Sequence, residues 1–290
     1  MTKTKETVAE IVTNRIIEEL KKGVVPWKKP WSNGLAVNWK TQKPYSGINT
    51  MLLPSGEYAT MNQIKEAKGR VRKEELKNYF IVIFVKSLNK KATEDEETED
   101  ESEGNEKPRF MRRFYRVWEI NTQCTGLKSK RPKSANLVDP IPACEEIVSN
   151  FLNKPDIRTG SQAYYDPTND YICMPPLNSF HKVDDYYHTL FHELIHSTGH
   201  KTRLSRVGIV TPNKFGSKLY SMEELIAEVG ASIMSANANI TVDIEQNASY
   251  INGWLNALKG DPELILKASS KAQKAVDFVQ VNSLNRKQSA

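Results

Sequence analysis

Tyr186–Arg203 reads YYHTLFHELIHSTGHKTR, and His192-Glu193-Leu194-Ile195-His196 within it is an HExxH pattern. On a helix, residues four apart lie on one face. His192 and His196 can therefore offer two imidazole nitrogens to a single metal ion, with Glu193 beside them to take a proton from water. The setting is helical: Leu190, Phe191, Leu194 and Ile195 supply apolar faces, no Pro or Gly interrupts, and Gly199 is a natural stop.

Two histidines and a water do not fill a tetrahedral site, so a third protein ligand is needed. His200 lies four residues after His196, but a helix ending near Gly199 turns it off the shared face. Ser221-Met222-Glu223-Glu224-Leu225-Ile226-Ala227-Glu228 is the other source. Ser221 with Glu224 three residues on has the form of a capping box, which puts Glu223 and Glu224 in a first helical turn. Glu224 and Glu228 are again four apart, on a helix otherwise built of Leu225, Ile226, Ala227, Val229, Ala231 and Ile233. Carboxylates on so apolar a helix need a cation or a hydrogen-bond donor. Glu224 as third ligand and Glu228 orienting a ligand histidine would meet both needs, and the two roles can be exchanged. Tyr164-Tyr165-Asp166-Pro167-Thr168-Asn169-Asp170-Tyr171-Ile172-Cys173-Met174-Pro175 predicts strand, turn, strand just ahead of the metal helix. Such a hairpin offers an edge on which an extended peptide can pair. His188, four before His192, is expected to be a helix histidine outside the ligand set.

The rest of the chain differs in charge. The 290 residues carry a formal net charge of +6, with 26% charged and 39% hydrophobic residues. Residues 1–92 hold 18 Lys/Arg against 8 Glu, residues 93–106 hold nine acids and no base, and the basic excess resumes over 107–135. The longest apolar run, Tyr79–Val85, has the length of a strand rather than of a membrane span. The N-terminus lacks the apolar core of a signal peptide, and Cys124, Cys144 and Cys173 are odd in number without metal spacing. A cytoplasmic protein with reduced thiols and no membrane partner is expected.

Residues 6–22 repeat Val8, Ile11, Val12, Ile16, Ile17 and Leu20 at helical spacing. VVPWKKPW follows, then Trp39-Lys40, Lys43-Pro44-Tyr45, a helix over Met61–Lys68 and a basic loop Gly69-Arg70-Val71-Arg72-Lys73. Tyr79–Lys86 and Arg109–Ile120 read as partner strands joined across the acidic insertion 93–108. Aromatic rings interleaved with cations suit single-stranded nucleic acid, whose bases stack while phosphates meet Lys and Arg. Trp27, Lys28, Lys29, Trp31, Trp39, Lys40, Lys43, Tyr45, Arg70, Arg72 and Lys73 are the candidates; the competing reading is that the tryptophans are core. Proline-rich residues 129–142 read as a linker, dividing the chain into domains at 1–128 and 143–290.

Several stretches together resemble the ArdC-type antirestriction proteins and the related N-terminal domain of conjugative primases. They are VPWKKPW, KPYSGIN, EYATMNQIKEAKGRVRK, IVIFVK and FYRVWEINTQCTGL in the first half, and AYYDPTNDYICMP, HELIHSTGHKTRL and EELIAEVGA in the second. The resemblance covers nearly the whole chain and implies an α+β protein of two domains. A single-stranded DNA-binding domain would precede a zincin-like metallopeptidase domain, carried by a mobile element and protecting DNA from restriction during transfer. It further implies one zinc ion held by His192, His196 and Glu224, with Glu193 as general base and Glu228 behind a ligand. The alternative is a non-catalytic single-stranded DNA-binding protein that shields incoming DNA, with a structural or vestigial metal site. A peptidase whose basic half binds protein or inhibits in cis is a third class.

Overall fold

A computed structural model describes residues 6–22, 36–87, 110–131, 140–211, 218–240 and 248–287. Its first helix, α1 (Val8–Lys21), begins at a capping box in which the Thr7 hydroxyl accepts from the Glu10 N–H and the Glu10 carboxylate accepts from the Thr7 N–H. Val12, Ile16 and Leu20 recur along one face of α1 and are buried. They do not stay within the first domain. They join a cluster with Leu258, Leu264, Ile265 and Ala268 from α8 (Ala248–Gly260) and α9 (Leu264–Lys287). Thr13 donates to the Pro262 carbonyl at 2.7 Å, and Arg112 pairs with Glu263 at 2.6 Å. The largest core therefore runs across both halves of the chain.

The first sheet has the order β1-β2-β5-β4, from β1 (Val37–Asn38), β2 (Glu57–Thr60), β4 (Phe80–Ser87) and β5 (Phe110–Glu119). β4 and β5 are antiparallel from Phe80↔Val117 to Ser87↔Phe110, the pairing expected from their alternation. The acidic insertion between them lies outside the described residues. Ile81 and Ile83 face α1 and α2 (Ile48–Leu52), while Val82 and Val117 face a small core with Ala36, Tyr45, Leu53 and Tyr58. β4 is the edge strand. At Ile83 its outward N–H donates to the Asn49 side-chain oxygen at 2.7 Å, and its carbonyl accepts from the Asn49 amide at 2.9 Å. A buried side-chain amide thus takes the place of the next strand, which blunts the edge.

The segment expected as a basic loop is partly strand. β3 (Arg70–Val71) pairs with β6 (Cys124–Thr125), next to α3 (Met61–Glu66), because Val71 and Cys124 pack with Trp118 and Ile64. In the second half, α4 (Pro140–Asn150) leads to a three-stranded sheet of order β7-β9-β8. β8 (Tyr164–Asp166) and β9 (Tyr171–Met174) are the expected hairpin. β7 (Asp156–Thr159), not anticipated from sequence, lies parallel to β9, so β9 is central and β8 is an edge. Helices α5 (Val183–Thr198), α6 (Val207–Val210) and α7 (Lys218–Asn237) complete an α+β architecture of two domains. No helix among the described residues is long and apolar enough to cross a membrane.

Candidate metal centre

α5 carries HExxH because its apolar stripe fixes its rotation: Leu190, Phe191, Leu194 and Ile195 are buried, leaving His192 and His196 on the face toward α7. α7 begins by Lys218, so Ser221 and Glu224 lie within the helix and do not form the expected capping box. Its own apolar residues Leu225, Ile226, Val229 and Ile233 pin it against the same core. The two helices come close at Gly230, where a Cβ would stand 2.8 Å from Ile195 side-chain carbons. That approach brings Glu224 to the histidine face.

The Nε2 atoms of His192 and His196 are 3.1 Å apart. Glu224 places Oε2 3.7 Å from His192 Nε2 and Oε1 3.6 Å from His196 Nε2. A tetrahedral ion with ligands at about 2.0–2.1 Å sets neighbouring ligand atoms about 3.3 Å apart. Two neutral imidazoles and one carboxylate with these separations fit a divalent ion. Among the described residues this trio is the one convergent His/Cys/Asp/Glu group.

Each histidine also has a carboxylate behind its other nitrogen. His192 Nδ1 is 4.0 Å from Glu228 Oε1, too long for a hydrogen bond but close enough to orient the ring's charge. His196 Nδ1 is 3.3 Å from Glu223 Oε1. Glu223 was anticipated only as a first-turn residue, yet it is the better placed of the two. Arg206 holds it from the loop after α5, through Nε to Oε2 at 3.0 Å and Nη2 to Oε1 at 2.5 Å. The same guanidinium donates to the Thr198 hydroxyl at 2.6 Å and the Ile195 carbonyl at 2.7 Å, tying down the C-terminal turn of α5. No spacing in the sequence signals Arg206; only the adjacency of Glu223 to Glu224 hinted at a role.

The electrostatics match a site built for positive charge. Burial opposes ionisation of His192, but the Glu224 carboxylate beside it and the charges of Glu228 and Glu193 prevail, holding the imidazolium up to about 9. Burial likewise opposes the Glu223 carboxylate, and hydrogen bonds from His196 and Arg206 with their charges outweigh it, bringing it to about 2. Glu224 lies below its ordinary value: burial pushes it up, and His192, His196 and the Tyr220 hydroxyl pull it further down. The Tyr220 hydroxyl thus bonds a candidate ligand. Glu193 is buried beside His192.

The other two buried histidines, His188 and His200, are engaged elsewhere. His188 Nδ1 lies 3.0 Å from Ser235 Oγ, and His200 Nδ1 lies 2.8 Å from Thr202 Oγ1 and 3.9 Å from Asp170. Arg203 locks the hairpin onto α5, donating to the Ser197 carbonyl at 2.6 Å, to both Asp170 oxygens and to the Tyr165 hydroxyl. β8 and β9 both touch α5, the helix that carries the two histidines.

The nucleic-acid candidates divide. Trp27, Lys28, Lys29 and Trp31 lie outside the described residues. Trp39 and Tyr45 are 9% and 7% exposed and belong to hydrophobic clusters. As stacking surfaces they are corrected: Trp39 donates to the Lys128 carbonyl at 2.8 Å and carries the Lys130 ammonium over its ring, leaving no face for a base. Lys40, Lys43, Arg70, Arg72 and Lys73 are exposed, and Lys40 pairs with Glu66 at 2.6 Å.

Comparison with known proteins gives consistent results over both halves. Residues 6–118 match the family described as the N-terminal domain of anti-restriction factor ArdC, and residues 142–271 match the zincin-like metallopeptidase family. The antirestriction protein ArdC of plasmid R388 is 35% identical in its metal-free structure, with 97% of this chain and 99% of that one covered and a TM-score of 0.71. Its Mn(II)-bound structure is 34% identical over the same shares, with a TM-score of 0.73. Two DNA primases TraC of Escherichia coli are 31% and 33% identical over 95% and 96% of this chain, which spans only 20% and 27% of their length. Protein y4eC of Sinorhizobium fredii (strain NBRC 101917 / NGR234) is 31% identical, with 94% of this chain and 91% of that protein covered.

Proposed function

Because this chain belongs to the ArdC antirestriction family, we propose that it binds single-stranded DNA and carries a zinc-dependent peptidase acting on proteins during DNA transfer. The observation that carries the peptidase reading is the convergence of His192, His196 and Glu224 beside the HExxH glutamate. A divalent ion held by these three would supply Lewis-acid activation of water and of a peptide carbonyl. Glu193 takes the proton of the attacking water and returns it to the leaving amine. Glu223 and Glu228 keep the imidazoles turned inward, with Arg206 fixing Glu223. The edge strand β8 aligns an extended peptide by backbone pairing. Zinc is the ion proposed, since its ordinary donors are those present, and an imidazole–carboxylate set also accepts manganese. The Mn(II)-bound R388 relative is consistent with that tolerance. The excess of Lys and Arg in the first half and its exposed cations support the DNA-binding part.

The test is elemental analysis after zinc reconstitution, followed by cleavage of casein with and without single-stranded DNA. About one zinc per chain, lost in His196→Ala and Glu224→Ala, is expected. Cleavage should vanish in Glu193→Gln while zinc is retained. A wild-type protein that takes up no metal would refute the peptidase reading and leave a DNA-binding protein on a zincin-like scaffold.

A further inference from the structure

The far half of the β4–β5 ribbon presents aromatic rings to solvent. Alternation places Val82 and Phe84 on one face with Tyr115 and Arg113 of the partner strand, Phe84 standing directly opposite Arg113. Phe84 is 51% exposed and Tyr115 is 42% exposed, with ring centroids 5.4 Å apart in an edge-to-face pair. Arg113 beside them is exposed. Its neighbours in sequence are committed: Arg112 pairs with Glu263, and Arg116 lies over the Tyr79 ring at 4.5 Å.

We propose that this ribbon face is the single-stranded DNA contact of the chain, with Phe84 and Tyr115 stacking unpaired bases and Arg113 meeting phosphate. The proposal rests on the DNA-binding reading above and locates it. Exposing two rings together is unfavourable unless something flat and apolar covers them. The cation opposite Phe84 selects an anionic partner with π faces, which describes a nucleotide strand. A second copy of this chain suits the face less well. An isologous contact would gather both copies' Arg113 cations into one interface, and strand addition at Ile83 is already blocked by Asn49. Duplex DNA keeps its bases stacked on one another, out of reach of the rings.

The experiment titrates the full chain into a fluorescein-labelled single-stranded oligothymidylate, followed by anisotropy, with a duplex of equal length as comparison. Phe84→Ala and Tyr115→Ala should each weaken binding about tenfold, with Tyr115→Phe restoring it. Arg113→Gln should flatten the salt dependence by about one unit of slope or slightly less. Both rings are about half exposed, so thermal midpoints should stay near wild type, and Tyr115→Ser offers a second truncation if Phe84→Ala folds poorly. Wild-type binding that is indifferent to all these variants would overturn the ribbon assignment while leaving the DNA-binding reading intact. A wild type that binds no single strand would overturn both. Loss of self-association in light scattering, with DNA affinity unchanged, would assign the face to a second copy instead.

Discussion

His196 sets its Nδ1 3.3 Å from Glu223 Oε1, and the buried Arg206 grips that carboxylate through two of its nitrogens. The contact leaves His196 Nε2 free to face His192 and Glu224, so a residue adjacent to a candidate ligand fixes the other ligand's tautomer. Glu223→Gln should weaken zinc affinity about 10- to 100-fold by isothermal titration. It should also lower stability by about 3–5 kcal/mol, because Arg206 keeps its buried charge without a counterion. The double variant Glu223→Gln/Arg206→Met removes that charge and should recover much of the stability but not the affinity. If affinity recovered as well, Glu223 would act only as the partner of Arg206.

The metal-free protein should lose stability as the pH rises. The folded-state value of His192, about 9, lies above its ordinary 6.5. Its contribution is therefore fully present below pH 6.5 and lost as pH climbs through about 9. Thermal midpoints of chelator-treated protein should fall over that window, and His192→Asn should remove the fall. Zinc displaces the proton, so titration at pH 7.5 should release protons to the buffer.

Gly230 sets the spacing of the two helices that carry the candidate ligands. Gly230→Ala would drive a methyl into Ile195, whose side-chain carbons lie 2.8 Å from the Cβ position. Destabilisation of about 1–3 kcal/mol is expected in urea unfolding. Zinc affinity should fall in parallel, since separating α5 from α7 also separates Glu224 from the histidines.

Asn49 acts as the missing neighbour of β4. Asn49→Leu conserves volume but leaves the Ile83 N–H and carbonyl without their partners. A loss of about 2–3 kcal/mol is expected, with concentration-dependent association in light scattering as the edge opens. A variant that stayed monomeric and stable would mean another group covers Ile83.

Much of this protein is legible locally. The four-residue spacing of His192 and His196 places them on one face before any tertiary contact forms, and the Thr7–Glu10 box starts α1 by itself. The alternation of Tyr79–Lys86 and Arg109–Ile120 predicts the β4–β5 pair across a long insertion. Periodicity is a property of the chain, so it survives into the fold.

What periodicity leaves open is which face the rest of the molecule covers. Glu223, Glu224 and Glu228 share one short stretch, and their division among two imidazoles follows from how α7 crosses α5 at Gly230. Arg206 enters from a loop whose path no local pattern fixes. Trp39 and Tyr45, candidates for base stacking, are buried, whereas Phe84 and Tyr115, read only as strand residues, are exposed. Burial free energy depends on the apolar area removed from water and carries no direction along the chain. The sequence alone therefore determined the elements and the pair of histidines; long-range packing decided the third candidate ligand, its supporting shell and the exposed aromatic face.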